Sequence, residues 1–210
     1  MGENVGMRIE PAGGVKSQAT ATRKSGAKRG KREAILDAMF DVVVERGFHE
    51  APMSLIVERA GASAGVIYHH FESKEAIILA VYDRVRALKR TSMLAGYRPE
   101  MDAKEAFLMV GANAYRFYRE HAREMRFMDQ YESAGFACMP EPESALDPVE
   151  VEFQRRFASR AQGGILADLP QEVLQEMTLG TIARLARQPR ALSKKELREV
   201  AERMWEAIRG

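Results

Sequence analysis

Apolar side chains recur at three- and four-residue spacing along most of the chain beyond residue 32, the period of helices with one buried face. Between Arg32 and Arg46, the positions Ile35, Leu36, Met39, Phe40, Val42 and Val43 form a broad apolar face. Gly47 ends that run, and Phe48 is placed to fold back beyond the cap. A shorter helix is predicted to begin near Glu50 to Pro52, because proline suits a first turn and breaks an interior. It carries Met53, Ile56, Val57 and Ala60 and stops at Gly61, a residue able to take positive φ. Ser63 then caps a third helix from Ala64 to about His70, too short to stand in water without tertiary support. Val66, Ile67 and Phe71 supply its packing contacts, while Ala64, Gly65, Tyr68, His69 and His70 leave a small, partly polar face. Ser73 restarts the helical pattern, and Ile77, Ile78, Val81, Val85 and Leu88 continue an apolar stripe.

Gly96 through Pro99 breaks the long segment, and Asp102 caps a fifth helix over about Ala103 to Arg119. Its Phe107, Leu108, Gly111, Ala112, Ala114, Tyr115 and Tyr118 alternate aromatic bulk with small residues, a pattern that suits either a cavity wall or close packing at a helix crossing. Glu120 to Tyr131 is a shorter helical candidate with Met125, Phe127, Met128 and Tyr131 on it. Glu132 to Leu146, with two prolines, a glycine and several acidic residues, reads as a surface loop or a pocket rim. Asp147, Pro148 and Glu150 mark a new helix start, with Val149, Phe153, Phe157 and Ala161 on one face before Gly163 and Gly164. Pro170 opens a helix carrying Val173, Leu174, Met177, Thr178, Ile182 and Leu185. The last helix has Ser193 as cap, Glu196 three residues on, and Leu192 and Leu197 placed as a staple; Val200, Met204 and Ile208 follow, with Trp205 broadening the face into partial exposure. The fold class expected is all-α, about nine helices, with an N-terminal three-helix unit and a larger C-terminal bundle.

Residues 56 to 74 therefore read as helix, tight turn, short helix and new helix start, the arrangement that lays one helix in the DNA major groove. Charge supports that reading. Residues 1–32 hold eight basic and two acidic side chains, a net +6, so the rest of the chain must sum to −4 to give the total of +2. A basic extension beside a helix-turn-helix can follow phosphates or enter a minor groove. Lacking apolar periodicity, residues 1–30 are expected to be a disordered basic arm, residues 31–76 the DNA-binding domain and residues 77–210 the effector-binding and dimerisation domain.

The 210 residues suffice for a substantial core. No apolar run approaches a membrane span and no secretory signal pattern opens the sequence, so a cytoplasmic location is expected, with no membrane partner. The single cysteine, Cys138, cannot form an internal disulfide. The four histidines, His49, His69, His70 and His121, lack metal-ligand spacing, the adjacent pair diverging on a helix; no phosphate loop or nucleophile elbow is present. Neither an enzyme nor a cofactor is expected.

The residues singled out for DNA contact are Arg32, Ser63, Ala64, Gly65, Val66, Tyr68, His69 and Lys74. Tyr68 offers a hydroxyl to phosphate, His69 a ring nitrogen to phosphate or base edge, and Lys74 joins free amides at a helix start. Candidates for a small-molecule site are Phe107, Gly111, Tyr115, Tyr118, Met128 and Tyr131, which suggest a hydrophobic or aromatic effector. Two DNA half-sites need paired reading helices about 34 Å apart, which a homodimer through the last two helices would supply.

The segment IVERAGASAGVIYHHFESKEAI, within about Arg32 to Val85, closely resembles the N-terminal domain of the TetR family of transcriptional regulators. The RAG turn, the glycine in the reading helix, the tyrosine, the phenylalanine stop and the SKE helix start match in order. The resemblance implies three DNA-binding helices, a larger effector-binding and dimerisation domain, and repression relieved by a small molecule. It also implies DNA contacts from Tyr68 and His69, a phosphate contact from Lys74 and a capping role for Ser63. Departures are Ala64 where the family often has lysine, Val66 where it often has threonine, and Ala51 and Pro52 where it often has a threonine or serine cap. The expected function is a ligand-responsive repressor that binds a pseudo-palindromic operator as a homodimer. The alternative is a helical DNA-binding regulator controlled by protein contacts without a small-molecule effector.

Overall fold

A computed structural model describes residues 30–135 and 147–210. The expectations for the basic arm of residues 1–29, for the body of the 132–146 loop and for Cys138 fall outside the described residues.

Four helices build the N-terminal unit: α1 (Lys31–Arg46), α2 (Met53–Ala60), α3 (Ala64–His70) and α4 (Lys74–Met93). Pro52 stands at the N-cap of α2 in an extended conformation, so its missing N–H deprives the helix of nothing. At the other end Gly61 adopts φ 56° and ψ 39°. Its amide donates to the Glu58 carbonyl at 3.2 Å and the Ala62 amide to the Val57 carbonyl at 3.3 Å, a Schellman stop that aims the chain into α3. Ile56, Ile67, Ile77 and Val81 are fully buried in one core with Ile35, Met39, Val42 and Val43 of α1.

The remaining helices are α5 (Ala103–Glu120), α6 (Ala122–Ser133), α7 (Pro148–Arg156), α8 (Gln171–Gln175), α9 (Thr181–Ala186) and α10 (Lys194–Ile208). A π-helical turn, Glu176–Gly180, joins α8 to α9 as one rod. Thr178 Oγ1 donates to the Leu174 carbonyl at 2.7 Å and Thr181 Oγ1 to the Glu176 carbonyl at 3.0 Å, so hydroxyls serve carbonyls that the wide turn mispairs. Counting the rod once, the described residues hold nine α-helices and no strand, in agreement with the all-α expectation. The α10 start is a full capping box between Ser193 and Glu196, and its backbone and side-chain bonds hold the Glu196 carboxyl below the usual range.

The body and the N-terminal unit are tied through α4 and α6. Phe127, Met128 and Tyr131 of α6 enter the core beneath α1 to α4, while Met93 at the far end of α4 packs with Ala114, Phe117 and Ile182. The two Nδ2 protons of buried Asn113 go to the carbonyls of Met93 and Ala95, at 3.1 and 3.0 Å, closing the end of α4.

Three expectations need correction. The helix from Pro148 ends at Arg156, short of Ala161, because the chain doubles back: the Ile165 and Leu166 amides take the Arg156 and Ala158 carbonyls at 3.1 Å each. A Cβ on Gly164 would stand 2.1 Å from the Ala158 oxygen, so glycine permits that close return, and Ala161 lies in a 3₁₀ turn, Arg160–Gln162. Trp205, expected to be partly exposed, is buried with its ring centroid 5.4 Å from that of Phe107. The His69 and His70 rings meet edge to face at 5.4 Å and do not diverge.

Candidate nucleic-acid interface and internal cavity

α3 is two turns long and is held from one side. Ile67 is fully buried and Phe71 nearly so, and Ser63 Oγ accepts the Val66 amide at 3.3 Å. Those anchors leave Ser63, Ala64, Gly65, Tyr68, His69 and His70 exposed on the opposite side, with Val66 partly buried between. Tyr68 is 56% exposed, unusual for so large a ring in a chain with this much core to offer it. The alanine and glycine bring backbone near the outer surface, and none of the seven α3 residues is a carboxylate.

Cations flank it. The Arg32 guanidinium lies 5.1 Å from the Phe71 ring centroid, beside the end of α3, and also within 3.5 Å of Glu33. Lys74 opens α4, where Ser73 Oγ accepts the Ala76 amide, and its Nζ donates to the Phe48 carbonyl at 3.2 Å, which uses one of three ammonium protons. Lys31 Nζ donates to the Gly61 carbonyl at 3.0 Å, securing the turn to α1. On the other side of the unit, Arg59 and Glu45 make a bidentate pair that holds the Glu45 carboxyl below the usual range and raises Arg59. Lys31 and Arg59 thus join parts of the unit together, while Arg32, Tyr68, His69 and Lys74 border its open side.

The body contains a cavity of about 530 Å³ between α4, α5, α6, α7 and the rod, a size suited to a small organic molecule. Phe107, Gly111 and Met128 from the sequence candidates line it. The other three candidates pack outside the lining. The Tyr115 hydroxyl accepts the Leu192 amide at 2.7 Å, and Tyr131 stacks on Tyr82 at 4.1 Å. Tyr118 is buried under the Lys89 ammonium, 5.7 Å from ring centroid to Nζ, and burial pushes its hydroxyl up to about 12.

Sequence reasoning missed the polar part of the wall: Arg86, Lys89 and Arg90 of α4, Glu132, Glu150 and Gln171. Arg90 Nη1 reaches Glu150 at 3.4 Å, and the buried Gln171 Oε1 has no hydrogen-bond partner among the described residues. A signal for Lys89 was present. Along α4 the four-residue row Ile77, Val81, Val85, Lys89, Met93 is buried at every other member, so a lysine there interrupts an apolar stripe. The π turn, with Thr178 on the cavity wall, had no such signal. No group of three or more potential metal ligands occurs among the described residues.

Two family models match: "Bacterial regulatory proteins, tetR family" over residues 35–81 and "Tetracyclin repressor-like, C-terminal domain" over residues 103–209. The HTH-type transcriptional regulator UidR of Escherichia coli is 46% identical over 61 residues, which is 28% of this chain and 31% of that protein, so the match spans under a third of its length. An uncharacterised HTH-type transcriptional regulator of Haemophilus influenzae is 25% identical over 187 residues, covering 87% of this chain and 97% of that one. Among solved structures, a TetR family protein from Vibrio parahaemolyticus superposes with a TM-score of 0.69 at 23% identity, over 86% of this chain and 99% of the other.

Proposed function

The chain belongs to the tetR family of bacterial regulatory proteins, and from that premise we propose that it is a homodimeric repressor that binds a pseudo-palindromic operator and releases it when a small molecule fills the body. The observation that carries the DNA half of this reading is the open face of α3. A two-turn helix anchored by Ile67 and Phe71 leaves Ala64, Gly65, Tyr68 and His69 exposed, with Arg32 over the Phe71 ring at its end and Lys74 opening the next helix. Small residues let the backbone approach base edges, Val66 offers a methyl contact to thymine, and the flanking cations fix register on phosphates.

Dimerisation through the rod and α10 supplies the second reading helix. Val173 on the rod is 41% exposed and Val200 on α10 only partly buried, which supports an apolar face open to a symmetry mate, while Leu197 and Met204 pack in part on the chain's own core. The cavity, largely apolar in its lining and of a size for a small organic molecule, supports effector control over control by protein contacts alone. The division expected for the chain, with residues 31–76 reading DNA and residues 77–210 binding effector and partner, follows the same proposal. An effector shifts DNA occupancy only through unequal affinity for two arrangements of the paired heads. Met128 and Tyr131 of α6, which belong to the core under α1 to α4, give cavity occupancy a mechanical route to the heads.

Sedimentation at physiological salt, followed by binding of selected duplexes by the wild type and the double variant Tyr68→Ala, His69→Ala, tests the proposal. A dimer whose variant folds normally and loses at least tenfold in DNA affinity is the expected result. A monomer, or unchanged affinity in the folded variant, would overturn it.

A further inference from the structure

The cavity wall is sharply unequal in character. Most of it is apolar, from Met93, Phe107, Val110, Phe157, Leu174 and Ile182. Cationic side chains interrupt it on α4, and they differ in their partners. Arg90 is engaged by Glu150, which in turn accepts from Gln154 at 3.3 Å. Lys89 is partly buried, its ammonium rests on the face of the Tyr118 ring, and no described carboxylate forms an ion pair with it. Asp129 and Glu132 act on it only as more distant charges, opposed by Arg86.

A lysine placed in an otherwise buried helical row, at the wall of a largely apolar cavity and with no ion-pair partner among the described carboxylates, carries a desolvation cost. Burial indeed holds the Lys89 ammonium below its ordinary value. Neutral or cationic molecules filling the cavity would leave that cost in place or deepen it. A ligand carrying its own negative charge would remove it, with a charge-assisted hydrogen bond formed away from bulk water.

Resting on the effector reading above, we propose that the cavity takes an amphipathic organic anion, one acidic head on an apolar body, and that Lys89 receives the acidic head. At about 530 Å³ the cavity lies within the usual range of small-molecule sites and suits a medium-length acyl chain or a compact aromatic acid.

The test uses the full chain with three probes of equal chain length below their micelle concentrations: decanoate, decanol and decylammonium. Calorimetric titration is made on the wild type, on Lys89→Met and on Lys89→Arg. Decanoate is expected to bind at least tenfold tighter than decanol to the wild type and to lose that margin in Lys89→Met. The arginine variant should keep part of it, and decanol should bind wild type and Lys89→Met within a factor of about two. Equal binding of decanoate and decanol to the wild type, or an unchanged margin in a folded Lys89→Met, would overturn the inference while leaving an effector cavity standing. Binding of no probe at all would overturn both the inference and the effector reading it rests on.

Discussion

The rings of Tyr82 and Tyr131 stack with centroids 4.1 Å apart and planes 17° from parallel, joining α4 to α6. Tyr82 lines the cavity, and Tyr131 belongs to the core that α6 shares with α1 to α4, so this pair joins the cavity wall to that core. A double-mutant cycle of Tyr82→Leu and Tyr131→Leu, read by denaturant unfolding, should show a coupling of about 0.5–1.5 kcal/mol. A coupling of zero would remove the stack from any route between cavity and head.

Lys74 gives one ammonium proton to the Phe48 carbonyl, and the proposed function assigns the others to phosphate. Replacing Lys74 with methionine should lower the slope of log affinity against log salt by about one and cost stability by about 1 kcal/mol. Salt titration of duplex binding, with unfolding measured in parallel, checks both. An unaltered slope would mean that Lys74 serves the fold alone.

Gly111 sits in mid-helix at the cavity wall, where an added Cβ would stand 3.4 Å from Ile182 Cδ1. That distance is tolerable against a methyl that can rotate, and alanine has the better helix propensity. Gly111→Ala should therefore gain roughly 0.5–1 kcal/mol in thermal or chemical unfolding. A loss of stability in that variant would mean that Ile182 does not yield to the added Cβ where α5 crosses α9.

How much of this was legible in the sequence depended on the range of the interactions involved. Gly61, Ser63 and Ser73 act within four residues of themselves, and the α3 bounds, Ala64 to His70, appear as the spacing predicts. The same holds for the Asp102 cap and the Ser193 box. The early end of α7 depends on carbonyls captured by residues that return eight or nine positions later, which periodicity does not carry. Trp205 is covered by Phe107, nearly a hundred residues away. Aromatic content pointed to α5 and α6 as the cavity region, yet Tyr115, Tyr118 and Tyr131 fill core while Phe107, Gly111 and Met128 face the volume. Which side of a helix meets empty space is set by the crossing of five elements. Lys89 was the exception, visible as a charge in a buried row.

Lys89 also gives a pH dependence with a definite sign. Burial lowers its folded-state value below 10.5, against the opposing pull of Glu132 and Asp129 on α6 and with the repulsion of Arg86 beside it. The folded chain then holds this proton less tightly than the unfolded chain does. Its contribution to stability is unfavourable at neutral pH and is relieved as pH rises through the folded value toward 10.5. Lys89→Met should raise the denaturation midpoint at pH 7, and the difference from wild type should shrink as pH approaches 10. Comparing the two proteins cancels the titrating groups that are remote from Lys89. A variant less stable than wild type by the same margin at both pH values would contradict the assignment.

The central claim is that α3 reads DNA in pairs. Its most direct measurement is selection of bound fragments from random duplex DNA by the purified full chain, followed by affinity against salt for the winning duplex and a scrambled one. The account predicts inverted half-sites whose centres lie about one helical turn, roughly 34 Å, apart, bound on the order of 10³-fold more tightly than the scrambled duplex. Recovery of no common sequence, with equal or absent binding to both duplexes at low ionic strength, would contradict it.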